Sequence, residues 1–429
     1  MAVSDWLIIV LYCLAIMALG VWACRRVKDT SDFFAAGGKM PWWLAGISHH
    51  MSGYSAAVFV AYAGVAYSYG FALYIWWALP VSIAIVAGSR TVAPRWARLR
   101  MHFGIGSPLE YLRTRFNLPV QQLLAWSGVL LKAFDMGAKW TSIAIVLNVF
   151  TGVPVAAGIL ASVAVSIFYI VLGGLWAAAA TELAQFVVQF VAGIAMLWAV
   201  LERLGGAGAI VGIWSRLPAG HAAPFNGPFT PGLALAYLLV SFLSYNGGTW
   251  NLAQRYIASP SGREARRAAW LSSALYLLWP LVLFFPMWAA PLILPGLADP
   301  TEAYSMLAKT LLPHGLIGLV LASLFAHTMA MTTSDANTVA AVISRDILPA
   351  VDLRFARQTP AAALRTARLV TVLFTGLTVV IALKAASFGG VLSLLVVWFA
   401  ALLGPAATPM ILGLMPVFRR SGAGAAVFS

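Results

Sequence analysis

Trp42-Trp43-Leu44-Ala45-Gly46-Ile47-Ser48-His49-His50-Met51-Ser52-Gly53-Tyr54 is the stretch whose reading decides the fold. It lies within positions 40–89, a run of 50 residues without Asp, Glu, Lys or Arg. At ~1.5 Å per helical residue, that run suffices for two crossings of a bilayer core roughly 30 Å thick. Yet Gly46, Ser48, His49, His50, Ser52 and Gly53 are the wrong filling for a lipid-facing helix. Polar groups in hydrocarbon are costly and face a bundle interior or a watery cavity instead. Glycines beside polar side chains predict a helix that opens near the bilayer middle and exposes backbone carbonyls, an arrangement suited to holding ions and solutes. The plainer alternative is a kinked helix whose small residues allow close packing.

The rest of the chain agrees with a membrane setting. Of 429 residues, 62% are hydrophobic and 9% charged, against roughly a quarter charged in a soluble domain. The expected class is an all-α polytopic membrane protein. A net charge of +14 does not mark a nucleic-acid partner, because the basic residues sit in short gaps between apolar runs. Cys13 and Cys24 offer neither a disulfide framework nor metal-ligand spacing. The first apolar run lacks a basic leader and a small-residue cleavage site, so it reads as a span rather than a signal peptide.

Hydropathy divides the chain into about eleven spans, at roughly 6–24, 41–68, 72–89, 120–149, 154–173, 177–201, 232–254, 268–294, 314–343, 369–386 and 388–417. A Gly/Pro-rich loop occupies 204–231. Most of the 27 Lys and Arg fall in alternate gaps. These are Arg25–Lys28, the arginines from Arg90 to Arg115, Arg255 to Arg267, Arg345 to Arg368, and Arg419 with Arg420. That asymmetry predicts an N-terminus outside and a C-terminus in the cytoplasm, across a bacterial-type inner or plasma membrane.

Five motifs, in order, resemble the sodium/solute symporter family. They are Ser31-Asp32-Phe33-Phe34-Ala35-Ala36-Gly37, Met51-Ser52-Gly53-Tyr54, Gly173-Gly174-Leu175-Trp176-Ala177 with Thr181-Glu182 and Gln185, Gln254-Arg255-Tyr256 with Glu264-Ala265-Arg266, and Thr332-Thr333-Ser334-Asp335 with Arg345-Asp346-Ile347. Glu182 stands where the family usually has Asp. The resemblance implies a leading helix (1–40 with its loop) and two inverted five-helix repeats of the LeuT type, at 41–203 and 232–418. Between them lies an extracellular loop (204–231), and a cytoplasmic tail follows (419–429). The first helix of each repeat would be broken, at Ser48–Tyr54 and at Tyr245-Asn246-Gly247-Gly248-Thr249.

The resemblance also implies a sodium site between the second and ninth spans. It would use the carbonyls of Ser48 and Met51 and the hydroxyls of Thr332 and Thr333. Aligned without a gap from Arg345-Asp346, the hydroxyl positions fall on Ala330 and Met331, so this expectation rests on a two-residue shift. Serines and threonines within spans also back-bond to helix carbonyls, the plainer reading of these hydroxyls. Glu182 is a further candidate cation station, or a proton carrier, because a carboxylate within a span is a functional candidate. Its plain alternative is a helix-start carboxylate favoured by the macrodipole.

Lys132, Asp135 and Lys139 fall within one span at i, i+3 and i+7, hence on one helix face. Asp135 is expected to neutralise Lys132, leaving Lys139 to meet a solute carboxylate, or else to pair structurally. His50, Tyr54, Ser55, Tyr245 and Trp250 are the remaining candidates for the solute cavity. Adjacent His49 and His50 point about 100° apart on a helix and lack a third ligand, which argues against a metal centre. No nucleophile–base constellation suggests an enzyme. The expected function is import of a small organic solute, of which a carboxylate is one class, coupled to a cation with sodium first. The rival readings are a proton-coupled carrier using Glu182 or His50, and a sensor built on the same core.

Overall fold

The computed structural model describes residues 1–388 and 403–428, and these are helical with no strand among them. Helix starts follow the cap chemistry of the sequence. Helix α1 (Val3–Cys24) leads into a short α2 (Thr30–Ala35), which Asp29 caps. The first repeat opens with α3 (Trp42–Met51) and α4 (Ala57–Tyr69), separated by a non-helical Ser52–Ala56. Then come α5 (Leu79–Thr91), preceded by a widened turn at Tyr74–Ala78, and α6 (Ala93–Phe103) and α7 (Glu110–Arg115). Asn117 caps α8 (Leu118–Thr151) through Val120 N–H at 3.0 Å, with Pro119 in the first turn.

Helix α9 (Val155–Arg203) runs for 49 residues, too long for one bilayer crossing at ~1.5 Å per residue. Gly174 breaks it, at φ 51 and ψ −137. A Cβ there would lie 2.3 Å from the Phe33 carbonyl oxygen, so the close approach of α2 also demands glycine.

The second half repeats the pattern. Thr230 caps α10 (Pro231–Leu243), a widened turn at Ser244–Gly248 interrupts the helix, and α11 (Asn251–Ile257) resumes it. Helix α12 (Gly262–Ile293), capped by Ser261, contains Pro280, Pro286 and Pro291. Next are α13 (Ala303–Leu311), α14 (Leu316–Val342), α15 (Pro360–Leu383) and α16 (Gly404–Leu412). The expected last span, 388–417, lies largely outside the described residues.

Among the described residues, five helical stretches are long and apolar enough to cross a membrane alone: α1, α9, α12, Leu316–Val351 and α15. A pair bent by 41°, Tyr74–Thr91 with Ala93–Phe103, makes up to six. The last of the eleven expected spans lies largely outside the described residues, and α9 counts once where two spans are expected; the rest of the difference has a physical origin. The halves of the broken helices are individually too short, and α8 carries Lys132, Asp135 and Lys139. Helix α14 lies at the centre, against α8, α9 and α1, while α3 lies between α12 and α9.

Candidate functional site

Both predicted breaks are present, and side chains from the opposite half of the chain satisfy their freed backbone. At the first, Tyr276 O–H donates to the His50 carbonyl at 3.1 Å. Asn251 Nδ2 donates to the Ser52 carbonyl at 3.0 Å, and Tyr245 O–H to the Gly53 carbonyl at 3.3 Å. Ala56 N–H donates to Thr328 Oγ1 at 3.1 Å. At the second break, Trp96 Nε1 donates to the Asn246 carbonyl at 2.9 Å. His49 sits between the breaks, bonded to Ser272 Oγ (2.7 Å), the Tyr245 carbonyl (3.0 Å) and Tyr256 Oη (3.1 Å). It braces the two halves of the chain across the breaks.

A cavity of about 230 Å³ opens beside the breaks. Tyr54, Ser55, Lys139 and Tyr245 line it, together with Tyr62, Trp77 and Asp135. Its rings form a continuous wall, with Tyr54–Trp77 centroids at 5.7 Å and Tyr62–Trp77 at 5.2 Å. His50 stands behind that wall, bonding the Tyr54 hydroxyl through Nε2 at 2.8 Å. Gln189 Nε2 donates to the same hydroxyl at 3.1 Å. The expectation for Trp250 is corrected. It is 1% exposed and turned onto Gly128 of α8, outside the cavity lining.

Lys139 is not a spare cation. Its Nζ lies 2.6 Å from Asp135 and 2.7 Å from Asp335, while Lys132 lies 2.8 Å from Asp335 and 3.4 Å from Asp135. Two lysines and two aspartates thus close a neutral ring between α8 and α14, each at most 3% exposed. Burying charge is tolerable only with such pairing. An ammonium has three N–H donors, and the ring uses two of those on Lys139.

The sodium ligands expected on α14 are also corrected. Thr332 Oγ1 donates to the Thr328 carbonyl at 2.7 Å, and Thr333 Oγ1 to the Met329 carbonyl at 2.6 Å. Thr333 also receives Tyr169 O–H at 3.5 Å, so it looks toward α9 and not toward the break. With about 100° between successive residues, the side facing α3 belongs to Ser334 and the cavity side to Met331. Met51 is buried at the end of α3 and lines neither the cavity nor the cluster described next.

Ser48 and Glu182, by contrast, come together. Glu182 accepts from Ser48, from Ser52 Oγ (2.9 Å), from Ser334 Oγ (2.5 Å) and from Arg255 Nη2 (2.7 Å). Arg255 further donates to Ser48 Oγ at 2.9 Å, Ser52 Oγ at 2.9 Å and Ser334 Oγ. All five residues are 0% exposed. The sequence reading grouped Arg255 with the cytoplasmic charges because it follows an apolar run. Its signal was Gln254-Arg255-Tyr256 on the second half of a broken helix, the position that aims it at the first break. Ser52 and Ser334 belong to the Met51–Tyr54 and Thr332–Asp335 motifs, and the sequence alone does not mark them as neighbours of Glu182.

A model of the sodium:solute symporter family matches residues 33–427. The chain belongs to that family. The family member is 27% identical to the sodium/glucose cotransporter of Vibrio parahaemolyticus, over 80% of this chain and 68% of the relative. It is 25% identical to the sodium/sialic acid symporter of Aliivibrio fischeri, over 80% and 69%. In structure it resembles a substrate-bound, outward-open Na⁺-coupled sialic acid symporter, with a TM-score of 0.85 at 20% identity, covering 100% of this chain and 89% of that one. A closed nucleobase-cation-symport-1 family transporter gives a TM-score of 0.58 at 18% identity, over 92% and 82%. This symporter therefore has the LeuT-type fold of a membrane transporter. It is not an enzyme, and it moves a small-molecule solute with sodium as the coupling ion.

Proposed function

We propose that the solute is a small carboxylate, held in the 230 Å³ cavity with one oxygen on the remaining N–H of Lys139. The observation that carries this reading is the Lys139 ammonium on the wall of an otherwise aromatic cavity, with two of its three donors engaged. Charge balance supports it. The ring is neutral, so one sodium and one carboxylate fill the site without leaving a net buried charge. Tyr54, Tyr62, Trp77 and Tyr245 supply apolar faces for the solute's carbon skeleton.

The same reading places sodium among the Glu182 carboxylate and the hydroxyls of Ser48, Ser52 and Ser334, a set of hard oxygen donors of the kind such ions take. In this state the Arg255 guanidinium holds that position, so sodium entry requires Arg255 to give up bonds to Glu182. The inverted repeats at 41–203 and 232–418, the outside N-terminus and the cytoplasmic C-terminus belong to the same proposal. Alternating access then consists of one repeat rocking against the other about the paired breaks.

The test is uptake by purified protein in liposomes, over a panel of labelled carboxylates, neutral sugars and amino acids, under a sodium or a proton gradient. The expected result is sodium-driven uptake of a carboxylate. Preference for a neutral sugar overturns the solute class. Uptake that follows the pH gradient, ignores sodium and vanishes in Glu182→Gln decides for proton coupling.

A further inference from the structure

A second cavity, about 610 Å³, shares no lining residue with the solute site and lies in the basic stretch that follows α5. It is formed by α6, α7 and the residues that follow α16, Gly413 and Leu414. Its wall carries Arg95, Arg98, His102, Glu110 and Arg115.

Two of these charges are already committed. Glu110 pairs with Arg345 and accepts the Gly106 N–H at 3.0 Å. Arg115 donates to the carbonyls of Gly413 (3.2 Å) and Ser421 (3.1 Å) and lies 4.5 Å from the Phe116 ring centre. Arg95, Arg98 and His102 differ. At i, i+3 and i+7 they form a ladder along one side of α6. Arg95 is half-buried, and its Nη1 is buried with no partner among the described residues. A guanidinium nitrogen placed so is costly unless something accepts its protons. No carboxylate on the wall is left to do that.

We propose that this cavity binds a phosphate-bearing anion, with Arg95 and Arg98 holding the phosphate oxygens and His102 at its edge. Forked guanidinium donors match phosphate geometry, which a single ammonium does not. The apolar part of the wall, Leu99, Phe103 and Leu414, suits a ligand whose phosphate carries a carbon stem. Phe103 and Met101 are 68% and 54% exposed at the rim. Two sources share this chemistry, the headgroup of an anionic phospholipid and a soluble phosphate compound. Either would tie α6 and α7 of the first half to the chain after α16 in the second.

The experiment uses the full chain in nanodiscs of phosphatidylcholine, of phosphatidylcholine doped with phosphatidylglycerol, and of phosphatidylcholine with added inorganic phosphate. The readout is the melting temperature. Phosphatidylglycerol or phosphate should raise it by a few degrees in the unaltered protein, by the linkage between binding and stability. The Arg95→Gln/Arg98→Gln protein should lose at least half of that shift. Arg98→Gln alone, at an exposed position, should lose part of it while melting normally in phosphatidylcholine. A shift with phosphate assigns the site to a soluble anion, and a shift with phosphatidylglycerol only assigns it to lipid. No shift in any arm, or equal shifts in the unaltered and Arg98→Gln proteins, overturns the proposal.

Discussion

Lys139 shows why a single substitution is a poor probe of a buried charge. Lys139→Ala removes a donor to the solute and also leaves two carboxylates facing one lysine, a change that costs about 3–5 kcal/mol when one member of a buried pair is lost. Lys139→Met/Asp335→Asn keeps the remainder neutral, with Lys132 still beside Asp135. We expect that double variant to fold and to need well over tenfold more carboxylate for half-maximal uptake, since a charge-assisted hydrogen bond contributes roughly 1.5–3 kcal/mol. Unchanged affinity would remove Lys139 from the solute site. Around Glu182 the milder probes are Ser52→Ala and Ser334→Ala, each removing one oxygen at about 1 kcal/mol. Each should raise the sodium needed for half-maximal uptake about fivefold while leaving the solute requirement at saturating sodium unchanged. A sodium titration that superimposes on the unaltered protein would place the ion elsewhere. Residue pattern points to Glu182 and Lys139, because charged side chains inside apolar runs announce themselves, whereas Ser48, as a carbonyl ligand, and Tyr245 rest on the family resemblance. It leaves open who pairs with whom: Asp135 and Asp335 are both possible partners for Lys139 in sequence, and the ring uses both.

At the scale of elements, the breaks were legible and the rotation of α14 was not. Gly-rich polar patches inside uncharged runs mark an opening whatever the tertiary context, and both patches open. Helix α14 gives no such mark, since 83% of its membrane-length window is buried inside the bundle. A helix buried all round, with polar and apolar residues on every side, has no solvent-facing stripe from which to read its phase. The two-residue shift on which the sodium ligands rest therefore has no check in sequence, and in the structure Thr333 faces α9 while Ser334 faces α3. The break at Gly174 allows a sharper test. Gly174→Ala forces a side chain into a left-handed backbone at φ 51, against the Phe33 carbonyl. It should lower stability by about 2–4 kcal/mol, seen as a lower melting temperature. Gly376→Ala, mid-helix in α15 with nothing within 4 Å of the added carbon, should leave melting unchanged or raise it by up to about 1 kcal/mol. Equal effects of the two would mean that the close approach of α2 at Gly174 does not constrain the fold.

For the whole molecule, the alternation of basic gaps predicts which side each loop faces. Cysteines placed at 98, 113 or 357 should react with an impermeant reagent only from the cytoplasm, and cysteines within 204–231 only from outside. Labelling from the opposite side in intact cells would invert the orientation. The neutral ring has an electrical consequence as well. A transmembrane potential acts only on net charge that moves through it, at about 2.3 kcal/mol per elementary charge per 100 mV. Two lysines against two aspartates, and Arg255 against Glu182, sum to zero, so these groups carry no current when the unloaded bundle rocks. Voltage dependence then enters with the sodium. If one sodium travels with one carboxylate, the loaded step is silent too, and a measurable current requires a second cation per turnover.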